Sequence, residues 1–332
     1  MAAIEVLNLT KVFEVYKKQP GFWGAVQGLA RRKYEEVNAV KDISFRIEEG
    51  EFVGFLGPNG AGKTTTLKML AGLLFPTSGK ASVFGFTPWE RADAYRRQFA
   101  LLLGQKNQLW WDLPALESLE LNSQIYGIPR VKFEKTVKDM SVLLRVEDKL
   151  NVMVRELSLG ERMKMELIAS LLHGPRVLFL DEPTIGLDVV SQKSVREFLR
   201  DYNREHKTTI ILTSHYMADI QELCERVIII DKGVIFFDGQ LSDILDRFAD
   251  YKVIRVQWSE SSGSKLPGAA DVSARAGDLG EVTERSENGM TVRVKRDRVI
   301  PACKVLLDEF PISDIDIQDV PIEDIIRNIF AR

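Results

Sequence analysis

Apolar and polar positions along the chain switch repeatedly between a period of two and a spacing of three to four. Residues 4–13 alternate loosely and predict an edge strand, and residues 43–47 predict another. Glu48 to Glu51 reads as a turn. Phe52-Val53-Gly54-Phe55-Leu56 is a short apolar run fit for a buried strand, followed by a glycine-rich loop and a helix over about 63–73. Residues 116–126, 132–144 and 158–172 repeat apolar side chains at helical spacing, so the middle third is helical. Then come a buried strand at 177–180, an amphipathic helix at 191–204, a strand at 208–213 and a helix at 217–224. Runs at 227–230 and 234–237 frame Asp231-Lys232-Gly233, a hairpin signal. Strands alternating with helices predict an α/β core with a mainly parallel sheet.

Past Gln240 the pattern changes. Residues 253–258 and 290–295 alternate, 261–264 are Ser and Gly, 302–310 suit a helix and 315–317 a strand. Pro321 opens a last helix through residue 330, at a position where proline is tolerated. Two domains are expected: residues 1–240, and a small α+β domain over 241–332.

Composition narrows the class. The 332 residues hold 45 Lys+Arg against 48 Asp+Glu, a net charge of −3, which is not the field of a general nucleic-acid binder. Two cysteines make no disulfide framework and suit a reduced compartment. No run of ~18 uncharged apolar residues is present and the start lacks a signal-peptide pattern, so work at a membrane needs another chain to span it. One stretch is unusual. Residues 16–34 carry Lys17, Lys18, Arg31, Arg32 and Lys33 with no acid before Tyr34, beside Phe22 and Trp23. The stretch suits anionic lipid headgroups or a membrane partner, or is a solvated loop.

Three elements carry chemistry. Gly57-Pro58-Asn59-Gly60-Ala61-Gly62-Lys63-Thr64 fits G-x-x-x-x-G-K-[ST] between an apolar strand and a helix. Its glycines let backbone N–H groups turn inward around phosphate oxygens, and the helix start adds partial positive charge. Lys63 supplies a full charge to the β- and γ-phosphates, and the Thr64 hydroxyl suits Mg²⁺. The second element is Val177-Leu178-Phe179-Leu180-Asp181-Glu182, which brings two carboxylates to the carboxyl end of a buried strand, the edge where open α/β sheets bind ligands. Asp181 suits Mg²⁺, and Glu182 suits the attacking water. In the third, Leu157-Ser158-Leu159-Gly160-Glu161, Ser158 caps a helix and Gly160 lets a phosphate approach its first turn.

In that order, with Gly186-Leu187-Asp188 and with His215 after the 208–213 strand, these elements resemble the ATP-binding subunit of an ABC transporter over about residues 4–240. The tail Val320-Pro321-Ile322-Glu323-Asp324-Ile325-Ile326 is similar to accessory domains on the ATPases of ABC-2-type exporters. The resemblance implies an α/β fold: a P-loop NTPase core of ABC ATPase type with a helical subdomain over about 106–172, an antiparallel N-terminal β-subdomain and the small α+β C-terminal domain. It implies ATP and Mg²⁺ as ligands and ATP hydrolysis as the reaction.

The partners it implies are a membrane-spanning permease, at the cytoplasmic face of the inner or plasma membrane, and a second ATPase domain, as a homodimer or with a sister subunit. Residues 57–64 and Thr65 would cradle phosphate in one subunit. Ser158 and Gly160 of the other would close it, with Asp188 touching the opposite phosphate loop. Glu182, His215 and Gln105 would be catalytic, Gln105 also reaching the metal with Thr64 and Asp181. Phe13 would stack on adenine, with Tyr16 as the fallback. Trp110 and Trp111, after Gln105, are either core or anchors for the permease.

Leu159 and Glu161 depart from the family's usual glycine and glutamine, but Ser158 and Gly160 remain. An exporter ATPase is the leading expectation. An importer ATPase, or a soluble ABC-type ATPase acting on ribosomes or DNA, is the alternative. Ribosome-acting relatives usually carry two cassettes and repair relatives a long coiled-coil insertion; this sequence has one set of motifs and no such insertion.

Overall fold

A computed structural model of the chain describes residues 2–16, 34–104, 107–248, 251–258, 280–286, 288–310, 312–320 and 325–326. The basic stretch between Tyr16 and Tyr34, Gln105, and the expected last helix apart from Ile325 and Ile326 lie outside the described residues. The chain divides into two units, Met1–Gly239 and Gln240–Arg332.

The first unit is built on a six-stranded sheet in the order β5-β6-β7-β3-β8-β9. Its strands are β3 (Phe52–Leu56), β5 (Phe99–Leu103), β6 (Val177–Asp181), β7 (Thr209–Thr213), β8 (Arg226–Asp231) and β9 (Val234–Gln240). The pairs β5–β6, β6–β7, β3–β7 and β3–β8 are all parallel. Central parallel strands are covered on both faces, which explains their unbroken apolar runs: Val177, Leu178, Phe179 and Leu180 are fully buried. The β8–β9 hairpin turns at Lys232 and Gly233, whose φ values of 47° and 81° match the double left-handed turn expected from the Asp-Lys-Gly signal.

A second, antiparallel sheet has the order β2-β1-β4, with β1 at Ala2–Tyr16, β2 at Tyr34–Glu48 and β4 at Ser78–Val83. Here the structure corrects the sequence reading. β1 is the central strand, not an edge. The β4 sequence Ser-Gly-Lys-Ala-Ser-Val buries only Ala81 and Val83, too little alternation to announce a strand. A register shift between Val6 and Leu9, with Asn8 at φ 51°, interrupts the pattern of β1.

The helices are α1 (Lys63–Leu70), the short α2 (Asp93–Arg96), α3 (Ala115–Tyr126), α4 (Arg130–Leu144), α5 (Leu159–Leu171), α6 (Val189–His206) and α7 (Met217–Leu223). In α5 the residues from Met163 to Leu171 are all buried, polar ones included.

The second unit holds α8 (Leu241–Phe248), β10 (Tyr251–Trp258), β11 (Glu281–Ser286), β12 (Gly289–Lys295), α9 (Val299–Glu309) and β13 (Ile312–Asp319). Its antiparallel sheet has the order β11-β12-β10-β13. One face buries Ile254, Val256, Met290, Val292 and Val294 against Ala302, Leu306 and Phe310, an α+β arrangement. β11 is polar throughout except Val282, so no period marks it in the sequence.

Candidate functional site

Parallel register explains why residues far apart in the chain converge. Leu103 pairs Asp181, Asp181 pairs Thr213, and Gly54 of β3 pairs Leu212. The carboxyl ends of β5, β6, β7 and β3 therefore form one row, and the loops leaving them carry the candidate residues.

The first loop runs from β3 to the start of α1. Gly60 and Gly62 have φ of 80° and 111°. A methyl group at Gly57 would stand 2.2 Å from the Ile230 carbonyl oxygen, and one at Gly62 would stand 2.4 Å from that of Ala39. Gly57 is thus required by close backbone approach, and Gly62 by close approach and dihedral angle together. Pro58, Asn59 and Gly60 form the outer bend, with Asn59 and Gly60 exposed, while Ala61 is buried and its N–H donates to the Pro58 carbonyl at 3.1 Å. The Lys63 ammonium is buried and donates to the carbonyls of Gly57 (2.7 Å) and Pro58 (3.1 Å). Burial pushes its pKa below the usual lysine value, and Glu182 and Asp181 draw it partly back. A glycine loop that leads into a helix start around a buried cation suits an anionic ligand.

Thr64 Oγ1 donates to Asp181 Oδ2 at 2.7 Å, and Thr213 Oγ1 donates to Asp181 Oδ1 at 2.8 Å. Thr65, next along α1, is half-buried. Glu182 takes a left-handed backbone, φ 56°, rare for a residue with a side chain. Its N–H is held by the carbonyl (3.0 Å) and hydroxyl (3.1 Å) of Thr213. Glu182 Oε1 lies 2.9 Å from His215 Nε2, bringing the two sequence-assigned groups together.

Ser158 caps α5. Its hydroxyl accepts from the Glu161 N–H at 3.3 Å and its own N–H donates to Glu161 Oε2 at 2.9 Å, a reciprocal box. The glutamate that departs from the family pattern is therefore a capping residue, held below the usual carboxylate pKa chiefly by the Ser158 N–H. Gly160 has a second requirement: a methyl there would meet Ser191 Oγ at 2.4 Å. Asp188 caps α6, accepting from the N–H groups of Val190 (3.0 Å) and Ser191 (2.9 Å).

Phe13 is half-buried on β1 opposite Val37, with the Lys11 ammonium 5.0 Å from its ring centre. Two residues back on the same strand, Lys11 pairs Val40, whose side chain packs on Gly62 of the phosphate loop. Trp110 and Trp111 are 41% and 44% exposed and are not core residues.

The sequence reading missed a buried knot behind this site. Asp219, fully buried, accepts from Ser214 Oγ (2.6 Å), Thr184 Oγ1 and Arg196 Nη1 (3.1 Å). Thr184 is two residues past Glu182, and Ser214 precedes His215, so one carboxylate ties both loops. The signal was an aspartate four residues after the histidine at the head of a helix. Asp219→Ala removes the shared acceptor of Ser214, Thr184 and Arg196, leaving Arg196 with the part-exposed Glu222 (3.0 Å), and is expected to lower stability by ~3 kcal/mol, read as a reduced thermal midpoint by calorimetry.

The family described as ABC transporter matches residues 40–185, and that described as EvrA-like ABC transporter, C-terminal domain, matches residues 250–318. The ABC transporter ATP-binding protein NatA of Bacillus subtilis is 37% identical over 214 residues, 64% of this chain and 87% of that protein. This chain belongs to the ABC transporter ATP-binding proteins. It binds ATP and is an ATP hydrolase of a transporter.

The ABC ATPase is also similar to the Nod factor export ATP-binding protein I of Cupriavidus pinatubonensis, 33% identical over 78% of this chain and 75% of that protein. The linearmycin resistance ATP-binding protein LnrL of Bacillus subtilis is 32% identical over 68% and 72%. Among solved structures, an ATP-binding subunit of an ABC transporter matches with a TM-score of 0.61 and 26% identity over 74% of this chain and 93% of that one. An ATP-binding cassette dimer in a post-hydrolysis state with ADP and Pi matches in fold, with a TM-score of 0.60 and 24% identity over 72% and 98%. Among the described residues no helix is long and apolar enough to cross a membrane.

Proposed function

We propose that this ABC ATPase powers export through a separate membrane-spanning permease, at the cytoplasmic face of its membrane, by closing and opening as a head-to-tail dimer. The observation that carries the dimer is the surface around the α5 start. Leu159, Val189 and Val190 stand 38%, 77% and 74% exposed beside Ser158, Gly160 and Asp188. An apolar rim around a helix N-terminus suits a second ATPase domain whose bound phosphate completes the site. Export is supported by the relatives whose names carry it.

Within each half-site, residues 57–65 cradle the phosphates and Phe13 stacks on the adenine. The Thr64 hydroxyl and Asp181 are hard oxygen donors 2.7 Å apart, a pair that fits Mg²⁺, which keeps few protein ligands. The ion would neutralise charge on the β- and γ-phosphate oxygens. Glu182 accepts a proton from the attacking water while His215, in contact with Glu182, fixes the geometry; Gln105 is assigned to the same water by the family resemblance. Lys63 and the Ser158 helix of the second copy stabilise the charge spreading over the γ-phosphate.

Sedimentation tests the dimer: the chain is monomeric with ADP and dimeric with ATP under conditions that block turnover. Leu159→Glu abolishes the ATP-driven dimer and leaves ATP binding to the monomer unchanged. A dimer that persists in this variant removes the α5 start from the interface. Direction is tested in vesicles carrying the permease with the ATPase outside, where ATP added outside fills the lumen with cargo; emptying of the lumen would mean import.

A further inference from the structure

Away from the phosphates, one carboxylate is buried against backbone N–H groups. Glu166, 3% exposed, lies on the third turn of α5. Its Oε1 accepts the Gln108 N–H at 2.9 Å and the Leu109 N–H at 3.3 Å, and its Oε2 lies 3.0 Å from the same Gln108 nitrogen. Burial raises its pKa, and the two N–H groups and Arg162 oppose that rise. An aliphatic side chain would fill the space but leave two backbone donors without an acceptor, one of them on the buried Leu109.

Further contacts lay the same segment along α5 and the turn before it. Arg162, one turn before Glu166, holds its guanidinium 5.2 Å from the Trp111 ring centre. The Arg155 guanidinium donates to Asp112 at 2.9 Å, and the Arg155 N–H donates to the Trp111 carbonyl at 3.1 Å. The Val154 N–H donates to the Leu113 carbonyl at 3.0 Å.

The other end of this connection is fixed to the catalytic strand. Leu103 pairs Asp181, and the Gly104 N–H donates to the Asp181 carbonyl at 2.9 Å. A methyl at Gly104 would stand 2.3 Å from the Glu182 carbonyl oxygen. From Gly104 to Gln108 the chain can reach at most about 14 Å. A short tether thus joins the Asp181–Glu182 edge to the helix that starts at Ser158, and Glu166 fastens its far end.

We infer that Glu166 is a positioning residue: by holding the Gln108 and Leu109 amides it sets the place of the Ser158-headed helix relative to the Asp181–Glu182 edge, and with it the rate of hydrolysis. It contacts no nucleotide itself. The inference rests on the reading of Ser158 as the group that closes the second copy's phosphate.

The test is steady-state ATP hydrolysis by the full chain with Glu166→Leu and Glu166→Gln. Glu166→Leu is expected to lower kcat about 10- to 100-fold with KM for ATP near its wild-type value, because placement and not nucleotide binding is lost. Glu166→Gln restores kcat, since its amide oxygen can sit where Oε1 sits and accept both N–H groups. Amide hydrogen exchange supplies the second readout: Gln108 and Leu109 lose protection in Glu166→Leu alone, while Val177–Asp181 stays equally protected in all three proteins. Wild-type kcat in Glu166→Leu, a glutamine variant as slow as the leucine one, or loss of protection in Val177–Asp181 as well would each overturn the inference. Hydrolysis by a wild-type chain that never dimerises would instead sink the reading of Ser158, a result separable by sedimentation.

Discussion

Glu182→Gln will hold ATP and fail to hydrolyse it, with kcat down about 10²- to 10⁴-fold. The amide has the size of the carboxylate and can keep a contact with His215 Nε2, now 2.9 Å from Oε1. It cannot take a proton from water. The left-handed backbone at this position, φ 56°, is set by the Thr213 carbonyl and hydroxyl and is unaffected by the exchange. Single-turnover hydrolysis gives the rate, calorimetry the ATP affinity, and sedimentation the ATP-bound dimer that should accumulate. Near-normal turnover would strip Glu182 of its role as the acceptor of the water's proton.

Lys63→Ala is expected to act on binding instead. A hydrogen bond to a charged group contributes about 1.5–3 kcal/mol, which corresponds to roughly a 10- to 150-fold loss of ATP affinity by titration calorimetry. Without nucleotide the same substitution removes a buried cation whose pKa is already depressed by desolvation. The thermal midpoint of the nucleotide-free protein should therefore hold or rise. An unchanged affinity contradicts the phosphate-loop assignment. A large fall in the nucleotide-free midpoint would mean that Lys63 serves mainly to tie down the carbonyls of Gly57 and Pro58.

The parts of this site legible in the sequence were those whose chemistry demands contiguous residues. The loop of residues 57–64 announced itself because a phosphate cradle needs glycines, a lysine and a hydroxyl at fixed spacing. The carbonyls of Ile230 and Ala39, which crowd two of those glycines, come from other strands and left no mark near them. Gly160 was read as room for a phosphate, yet Ser191, from the next helix, also requires it. Glu166 and Asp219 were missed for a related reason: each is a single acid whose partners lie 57–58 residues and 5–35 residues away. Glu166 did carry a signal, since it interrupts the apolar stripe of a helix that is buried from Met163 to Leu171. β1 was placed at an edge because its second neighbour, β4, has too few apolar residues to be seen. Trp110 and Trp111 could not be assigned from residue type alone, and their exposure decides against the core.

The long hairpin has a mechanical consequence. β1 last pairs β4 at Thr10 and then continues six residues to Tyr16 with, among the described residues, β2 alone paired to it, an arm of about 20 Å. Its root is stitched by Thr10 and Thr77: the Thr77 N–H donates to the Thr10 carbonyl (2.8 Å), the Asp42 N–H to the Thr10 hydroxyl (3.0 Å) and the Val12 N–H to the Thr77 hydroxyl (3.0 Å). That knot sets the angle at which the arm leaves the sheet, so the bearing of the Phe13 ring, three residues past Thr10, is steered by two threonine hydroxyls at the hinge.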